Sequence, residues 1–466
     1  MRAKSPTKTT SETSSERPSS KVFSLLFGVF LGLSLLKFGN PCLFDDLVST
    51  PADFMEWSLN NWPIRIAYWL LAGLGITGLF ASQSRVRSPR WVFYLPVAWL
   101  GWQFVSATQT IDPDLTRVTL YHFTASVICF YLGAFCLSRQ PALLFWVPIL
   151  CSMLVVIARG LEQHFGGLEE TRRYFNTYIY PMLGSVPPEY LKRMSSDRIF
   201  STLFYPNALA GAVLLMLPPT LLVVWRISTR FTFPARSFLT ATYAAGALGC
   251  LFWSGSKAGW LLAVLAGLIV LLHLPIALRL KISLVAAIAL LGLSGFVWRY
   301  SGYFDRGAAS VHARFDYWRA ATETMISKPV LGSGPGTFGI AYKAIKRPES
   351  EMARLAHNDF LQQGSDSGVI GFLTYLAWVC GIVWFGRPRF GNRRITFQLV
   401  VWLGVLGFCL QGIAEFGLYI PALAWPAFAM SGWILNSEAE PIRVSSETSR
   451  NQVIATVTLS DGRSPV

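Results

Sequence analysis

The sequence predicts an all-α polytopic membrane protein of about twelve transmembrane helices, with two large outer loops, the second containing short amphipathic helices. Three observations carry this. The chain of 466 residues is 53% hydrophobic and only 14% charged, whereas soluble domains carry roughly 25% charged residues. Apolar runs of roughly 17–25 residues, the length a bilayer demands of a helix, recur from Phe23 to Leu435. The short breaks between them are basic on one side of the implied bundle and acidic on the other.

Residues 1–21 are rich in Ser, Thr, Pro and charge, hold no core-forming pattern, and are expected to be disordered. The run from Val22 to Phe38 lacks a small-residue cleavage site and reads as the first retained span. The candidate spans fall at about 22–38, 64–82, 91–107, 118–137, 142–158, 204–226, 237–254, 257–275, 281–298, 367–386, 396–413 and 419–435. Five lie within 22–158, four within 204–298 and three within 367–435, leaving outer loops at 159–203 and 299–366. Residues 436–466 form a polar tail, expected to be disordered.

Charge then orients the bundle. With a cytoplasmic N-terminus the inner connections hold Arg85, Arg87, Arg90, Arg139, Arg226, Arg230, Arg236, Arg279, Lys281, Arg387, Arg389, Arg393 and Arg394, and no acid. The short outer connections hold Asp45, Asp46, Asp53, Glu56, Asp112, Asp114 and Glu415. The positive-inside rule puts both termini in the cytoplasm and both large loops outside. The net charge of +15 is read as orientation and contact with anionic membrane lipids, not as a nucleic-acid surface. The seven cysteines form no C-x-x-C and the five histidines show no ligand spacing, so neither a metal nor another cofactor is expected.

Chemistry is therefore sought in the outer loops. The first ends at Arg198, about one turn before the helix opened by Pro206-Asn207, where a guanidinium can pair with a phosphate in a planar fork or simply snorkel. The hairpin Ser254-Gly255-Ser256-Lys257 sets one ammonium among small residues that leave room for a ligand. In the second loop Phe315, Trp318, Ala321 and Met325 recur at helical spacing, predicting an amphipathic helix on the membrane that also carries Arg314. The glycines of Gly332-Ser333-Gly334-Pro335-Gly336 follow no strand and precede no Gly-Lys-Ser/Thr, so they predict a helix stop and tight turn, not a nucleotide loop. Then comes Ala356-His357-Asn358-Asp359-Phe360-Leu361-Gln362-Gln363-Gly364, which puts one residue that titrates near working pH beside amides and carboxylates.

These pieces, in order from Arg198-Ile199-Phe200 through Ser254–Lys257, Arg314 with Trp318, Pro329–Phe338, His357-Asn358 and Gly368-Val369-Ile370-Gly371, resemble the O-antigen ligase/polymerase family of bacterial envelope enzymes. The resemblance implies a glycosyltransferase of the bacterial inner membrane. It would move a glycan from undecaprenyl diphosphate, at the periplasmic face, to a hydroxyl of lipid A–core, of another glycan repeat or of a protein. It implies Arg198, Lys257 and Arg314 as substrate and diphosphate ligands, His357 as catalytic base, and Asn358, Asp359 and Gln362 as support. The family usually has arginine where Lys257 stands, which removes bidentate gripping at that position. Such a reaction is inverting and needs no metal, because cations can neutralise the leaving diphosphate. The compact second loop, without an added soluble domain, favours a ligase or polymerase over a protein O-oligosaccharyltransferase, and of these the ligase is the reading taken, with the polymerase as its alternative. Two rivals remain: chemistry on Asp45-Asp46, as in metal-dependent polyprenol transferases, and a flippase or exporter, which the scarcity of charge inside the spans disfavours.

Overall fold

The computed structural model describes residues 18–82, 88–137, 143–182, 195–203, 205–305, 309–348, 350–388 and 395–436. Of the terminal segments expected to be disordered, residues 1–17 and 437–466 lie outside them, as do the inner-loop residues Arg85, Arg87, Arg139, Arg389, Arg393 and Arg394, whereas residues 18–21 and Asn436 are helical, because each continues the apolar helix beside it. Among the described residues every regular element is a helix and no strand occurs. A helix stands at each predicted stretch: α1 Pro18–Lys37, α2 Ile64–Ala81, α3 Arg90–Ala107, α4 Pro113–Phe135, α5 Leu143–Glu162, α6 Pro206–Ile227, α7 Phe233–Trp253, α8 Lys257–His273 and α9 Leu278–Asp305. The second loop forms α10 Ala309–Ser327 and α11 Phe338–Ile345, and α12 Asp359–Phe385, α13 Phe397–Gln411 and α14 Pro421–Asn436 follow. Among the described residues 7 helices are long and apolar enough to cross a membrane, with Lys257–His273 and Phe397–Gln411 apolar but shorter.

The bundle is built around α14, which is buried along its whole length. It packs on α4, α1, α13 and α6, while α3 lies on α12 and α8 pairs with α9 at the edge. Small residues set the tightest crossing: a Cβ at Gly133 would overlap the Ala429 carbonyl oxygen, and one at Gly432 that of Phe130. Between apolar helices such close backbone approach supplies packing that hydrophobic burial alone cannot. Aromatic rings fill the remainder, with Trp378 stacked on Phe428 at 4.3 Å between centroids.

The loops gather at one end of this bundle. There the Ala422 amide donates to Phe38 O at 3.1 Å and the Ile111 amide to Ser333 O at 3.0 Å. At the opposite end Ser88 Oγ donates to Leu435 O at 2.7 Å and Asn436 Nδ2 to Ala134 O at 2.8 Å.

Two local expectations need correction. α10 is helical as predicted, but its buried stripe is Tyr317, Ala320, Ala321 and Thr324, with Phe315 exposed. The reason is its partner: Tyr317, Ala320 and Ala321 pack on Phe338, Tyr342, Ala353 and Ala356, forming a small second core. The second loop also ends earlier than residue 366. α12 starts at Asp359 and is broken at Ser367 and Gly368, where Gly368 has φ 70°. Its first turns are polar in sequence yet buried, because the side chains find partners inside the bundle. The glycine-rich segment is the expected tight turn, and it plugs into this break. Ser333 and Gly334 amides donate to Ser365 O and Asp366 O at 3.0 and 2.8 Å. At Gly334, with φ 110°, a Cβ would also overlap the Thr110 hydroxyl, so only glycine fits.

Candidate active site

The site is organised by a residue from the short connection between α13 and α14. The Glu415 side chain is only 8% exposed. One carboxylate oxygen, Oε1, accepts from Asn207 Nδ2 at 2.6 Å and from the Arg314 guanidinium. The other, Oε2, lies 3.3 Å from His357 Nδ1. Burial pushes this carboxyl up, but Arg314, His357 and Arg198 together outweigh it and hold it below its ordinary 4.5. Glu415 is thus an anion held by the Arg314 guanidinium, an amide and an imidazole, in the field of Arg198.

Asn207 carries the network to Arg198. It sits in the first turn of α6, which Pro206 opens in the position where a missing N–H is harmless. Its Oδ1 accepts from Arg198 Nη2 at 2.6 Å, while Arg198 Nε donates to Ser254 O, also at 2.6 Å. Burial lowers the Arg198 pKa from its ordinary value. The small residues of the α7–α8 turn make room here for Arg198 itself: Gly255 has φ 63°, and a Cβ there would stand 3.1 Å from Arg198 Nε. The segment bearing Arg198 is fixed from α5's end, where Gln163 Oε1 accepts the Phe200 and Ser201 amides at 3.0 and 2.7 Å.

Lys257 is the first residue of α8, whose N-terminus is capped by Ser256 Oγ accepting the Gly259 amide at 3.2 Å. Its ammonium lies 5.2 Å from the Tyr300 ring centroid and in the field of Arg198, Arg314 and Arg299. Four cations, Arg198, Lys257, Arg299 and Arg314, therefore lie in one region, with Arg314 on the Glu415 carboxylate. Such an excess of positive charge is suited to a doubly charged anion.

His357 is held by its backbone and its neighbours. Its φ is 51°, a left-handed conformation unusual for a residue with a side chain. The ring stacks on Tyr317 at 5.8 Å and meets the edge of Phe416 at 4.7 Å. Its carbonyl accepts from Trp318 Nε1 at 3.3 Å. A carboxylate on Nδ1 selects the tautomer that donates from Nδ1 and leaves the lone pair on Nε2. With the side chain 27% exposed, Nε2 can reach an incoming hydroxyl.

The residues named as support lie behind this face. Asn358 Oδ1 accepts the Leu361 amide at 3.0 Å and caps α12. Asp359 Oδ2 accepts the Leu418 amide at 3.1 Å, tying α12 to the connection that bears Glu415. Gln362 accepts the Ala356 amide at 2.7 Å and donates to Asp366 Oδ2 at 3.0 Å. The same oxygen of Asp366 takes the Gly336 amide and the Tyr419 hydroxyl.

Arg198, Arg314 and His357 are thus joined through Asn207 and Glu415, with Lys257 beside them. Sequence reasoning used Glu415 only to orient the bundle and passed over Arg299. As the single acid of a short outer connection Glu415 reads as topology, and only the fold brings Asn207, Arg314 and His357 to it. The rival pair separates: Asp45 Oδ1 caps α2 by accepting the Ile64 amide at 2.8 Å, and Asp46 is exposed.

Residues 242–376 match the family model described as O-Antigen ligase. The match takes in Lys257, Arg299, Arg314 and His357 through Gln362, and lies between Asn207 and Glu415 in the chain. No curated protein matches the chain.

Proposed function

From the O-antigen ligase domain that this chain carries, we propose a ligase-like glycosyltransferase of the bacterial inner membrane. It moves a glycan from undecaprenyl diphosphate to an acceptor hydroxyl, of lipid A–core in the first instance. The observation that supports this most is the Glu415 carboxylate, which joins a histidine with a free Nε2 to a cluster of cations. About twelve helices cross the bilayer in this reading. Both termini are cytoplasmic, and the loop-bearing end of the bundle faces the periplasm.

In the reaction His357 Nε2 takes the acceptor's hydroxyl proton as that oxygen forms its bond to the anomeric carbon. The bond from that carbon to the diphosphate oxygen breaks, and the electron pair leaves with the diphosphate. Attack opposite the leaving group inverts the centre. Arg198, Lys257 and Arg299 take up the charge that develops on the leaving group, the kind of term that dominates when the leaving group is already good. Glu415 holds His357 in the productive tautomer and balances the charge it acquires. Arg314 holds Glu415 and completes the cationic wall. With these cations in place a metal is not needed.

The test is glycan transfer from an undecaprenyl-diphosphate donor by purified, chelator-treated protein. Transfer should survive EDTA and fall at least about 100-fold in His357→Ala, the lower range for loss of a general base. Activity abolished by EDTA and indifferent to His357→Ala would refute the mechanism. Offering lipid A–core, free glycan repeats and a hydroxyl peptide as acceptors separates ligase from polymerase and from protein glycosylation.

A further inference from the structure

Asp366 is a fully buried carboxyl group that the reaction above does not use. It stands just before the break in α12 at Ser367 and Gly368. Among the described residues it belongs to no ion pair. Burying a carboxyl group without a cation opposes folding, so its role is sought in its hydrogen bonds.

Three donors meet on one of its oxygens, and each leads to a different part of the site. Oδ2 accepts from the Gly336 amide at 2.8 Å, from Gln362 Nε2 at 3.0 Å and from the Tyr419 hydroxyl at 2.9 Å. Gly336 belongs to the turn that follows α10, the helix of Arg314. Gln362 presents its other end, Oε1, to the amide of Ala356 at 2.7 Å, and Ala356 precedes His357. Tyr419 ends the short helical turn that follows Glu415. The same connection is fixed to α12 twice more: Leu418 N donates to Asp359 Oδ2 at 3.1 Å, and Gly412 O accepts the Asp359 amide at 2.7 Å. His357 and Glu415 are 58 residues apart in the chain, yet both are held by the opening turns of α12.

The orientation of the Gln362 amide decides what His357 experiences. A side-chain amide accepts at one end and donates at the other. With Asp366 on its nitrogen, its oxygen must face the Ala356 N–H. With no acceptor at position 366 nothing selects that orientation, and the flipped amide would set two donors against each other. Ala356 adjoins a residue at φ 51°, a conformation that persists only where its surroundings over-determine it. The hydrogen bond from Trp318 to the His357 carbonyl, on the other side, is the longer of the two at 3.3 Å.

We infer that Asp366 is a positioning residue, which acts through Gln362 and Tyr419 to fix the His357 imidazole against the Glu415 carboxylate. This rests on the function proposed above. The experiment uses the full chain in detergent with isotope-labelled histidines, whose ring tautomers are read by nitrogen NMR at about pH 8.5, above the ordinary histidine range. His357→Ala identifies the His357 signals by their loss. Asp366→Leu keeps the branching of the side chain and removes the acceptor. Tyr419→Phe removes a single oxygen and is the deciding variant if Asp366→Leu does not fold. Wild type should show the Nδ1–H form of His357, and Asp366→Leu a mixture with the Nε2–H form. Its kcat should fall about 10-fold to about 100-fold, the loss that a misplacement on the order of 1 Å reaches. Donor KM should stay within about 3-fold, because Arg198 keeps its bonds to Ser254 and Asn207. Tyr419→Phe should shift the tautomers the same way and lower kcat about 5-fold, the factor one hydrogen bond carries. A wild-type tautomer or a wild-type kcat in the deciding variant would overturn the proposal, since a purely structural role changes stability and leaves the imidazole as it was. Undiminished transfer by His357→Ala would refute the base itself, a separate result, because the tautomer is observed without turnover.

Discussion

Replacing Glu415 by glutamine tests the centre of the site while changing few atoms. The amide keeps the shape of the carboxylate and can still accept from Arg314. It loses the charge, and with it the preference for an Nδ1–H donor on His357, 3.3 Å away. Where a carboxylate orients a catalytic histidine, its amide variant lowers turnover by about 10,000-fold in the strongest cases. Here His357 is also held by Tyr317, Phe416 and its own backbone, so a fall in kcat of about 100-fold to about 1,000-fold is expected. The donor KM should stay within about 5-fold, because Arg198 keeps its partners Ser254 and Asn207. Stability should fall as well. Removing one partner of a buried ion pair costs about 3–5 kcal/mol, and the 19% exposure of the Arg314 side chain together with the retained amide bring this to about 2 kcal/mol. Steady-state transfer with varied donor and acceptor gives the first quantity, and chemical denaturation in detergent the second. Turnover by Glu415→Gln equal to wild type would refute the orienting role, whatever its stability.

Glu415 also sets an acid limit to stability. Its folded pKa lies below its ordinary 4.5, so its contribution is complete above about pH 4.5 and is lost as pH falls through the depressed value. The unfolding temperature of wild type should drop more steeply below pH 4.5 than that of Glu415→Gln. Arg198→Lys cannot span both Ser254 O and Asn207 Oδ1, and should raise donor KM by about 5-fold to about 100-fold in steady-state assays. Lys257→Arg should keep transfer within about 3-fold of wild type, since a planar cation there serves the same charge. Gly368→Ala meets a left-handed φ and the Val330 carbonyl oxygen together, and should cost more than about 2 kcal/mol in thermal unfolding.

Much of the architecture was legible because length and apolarity speak directly about a helix in lipid. The helices from Ile64 to Ala81 and from Phe397 to Gln411 lie within a few residues of their expected places. The start of α12 was not legible. Asp359, Gln362 and Asp366 read as loop by polarity, and only their partners, Leu418, Ala356 and Gly336, explain how a polar turn is buried. The candidate site divides in the same way. Arg198, Lys257, Arg314 and His357 announced themselves as ionisable residues in outer loops. Glu415 and Asn207 did not, because their roles depend on contacts across about 200 residues of chain, as in the Asn207–Glu415 hydrogen bond. The buried stripe of α10 was misplaced for a related reason. Periodicity finds an apolar face but not its partner, and Tyr317 outranks Phe315 only once Phe338 and Tyr342 stand opposite.

The left-handed backbone of His357 bears on how an inert form of this protein should be made. At φ 51° an alanine is strained by about 1 kcal/mol, whereas asparagine tolerates that region. An Asn side chain also offers Glu415 a hydrogen-bond donor but no base of useful strength. His357→Asn is therefore the variant in which the loop should keep its native shape while the lipid-linked donor stays uncleaved, the property needed to capture the loaded protein for imaging.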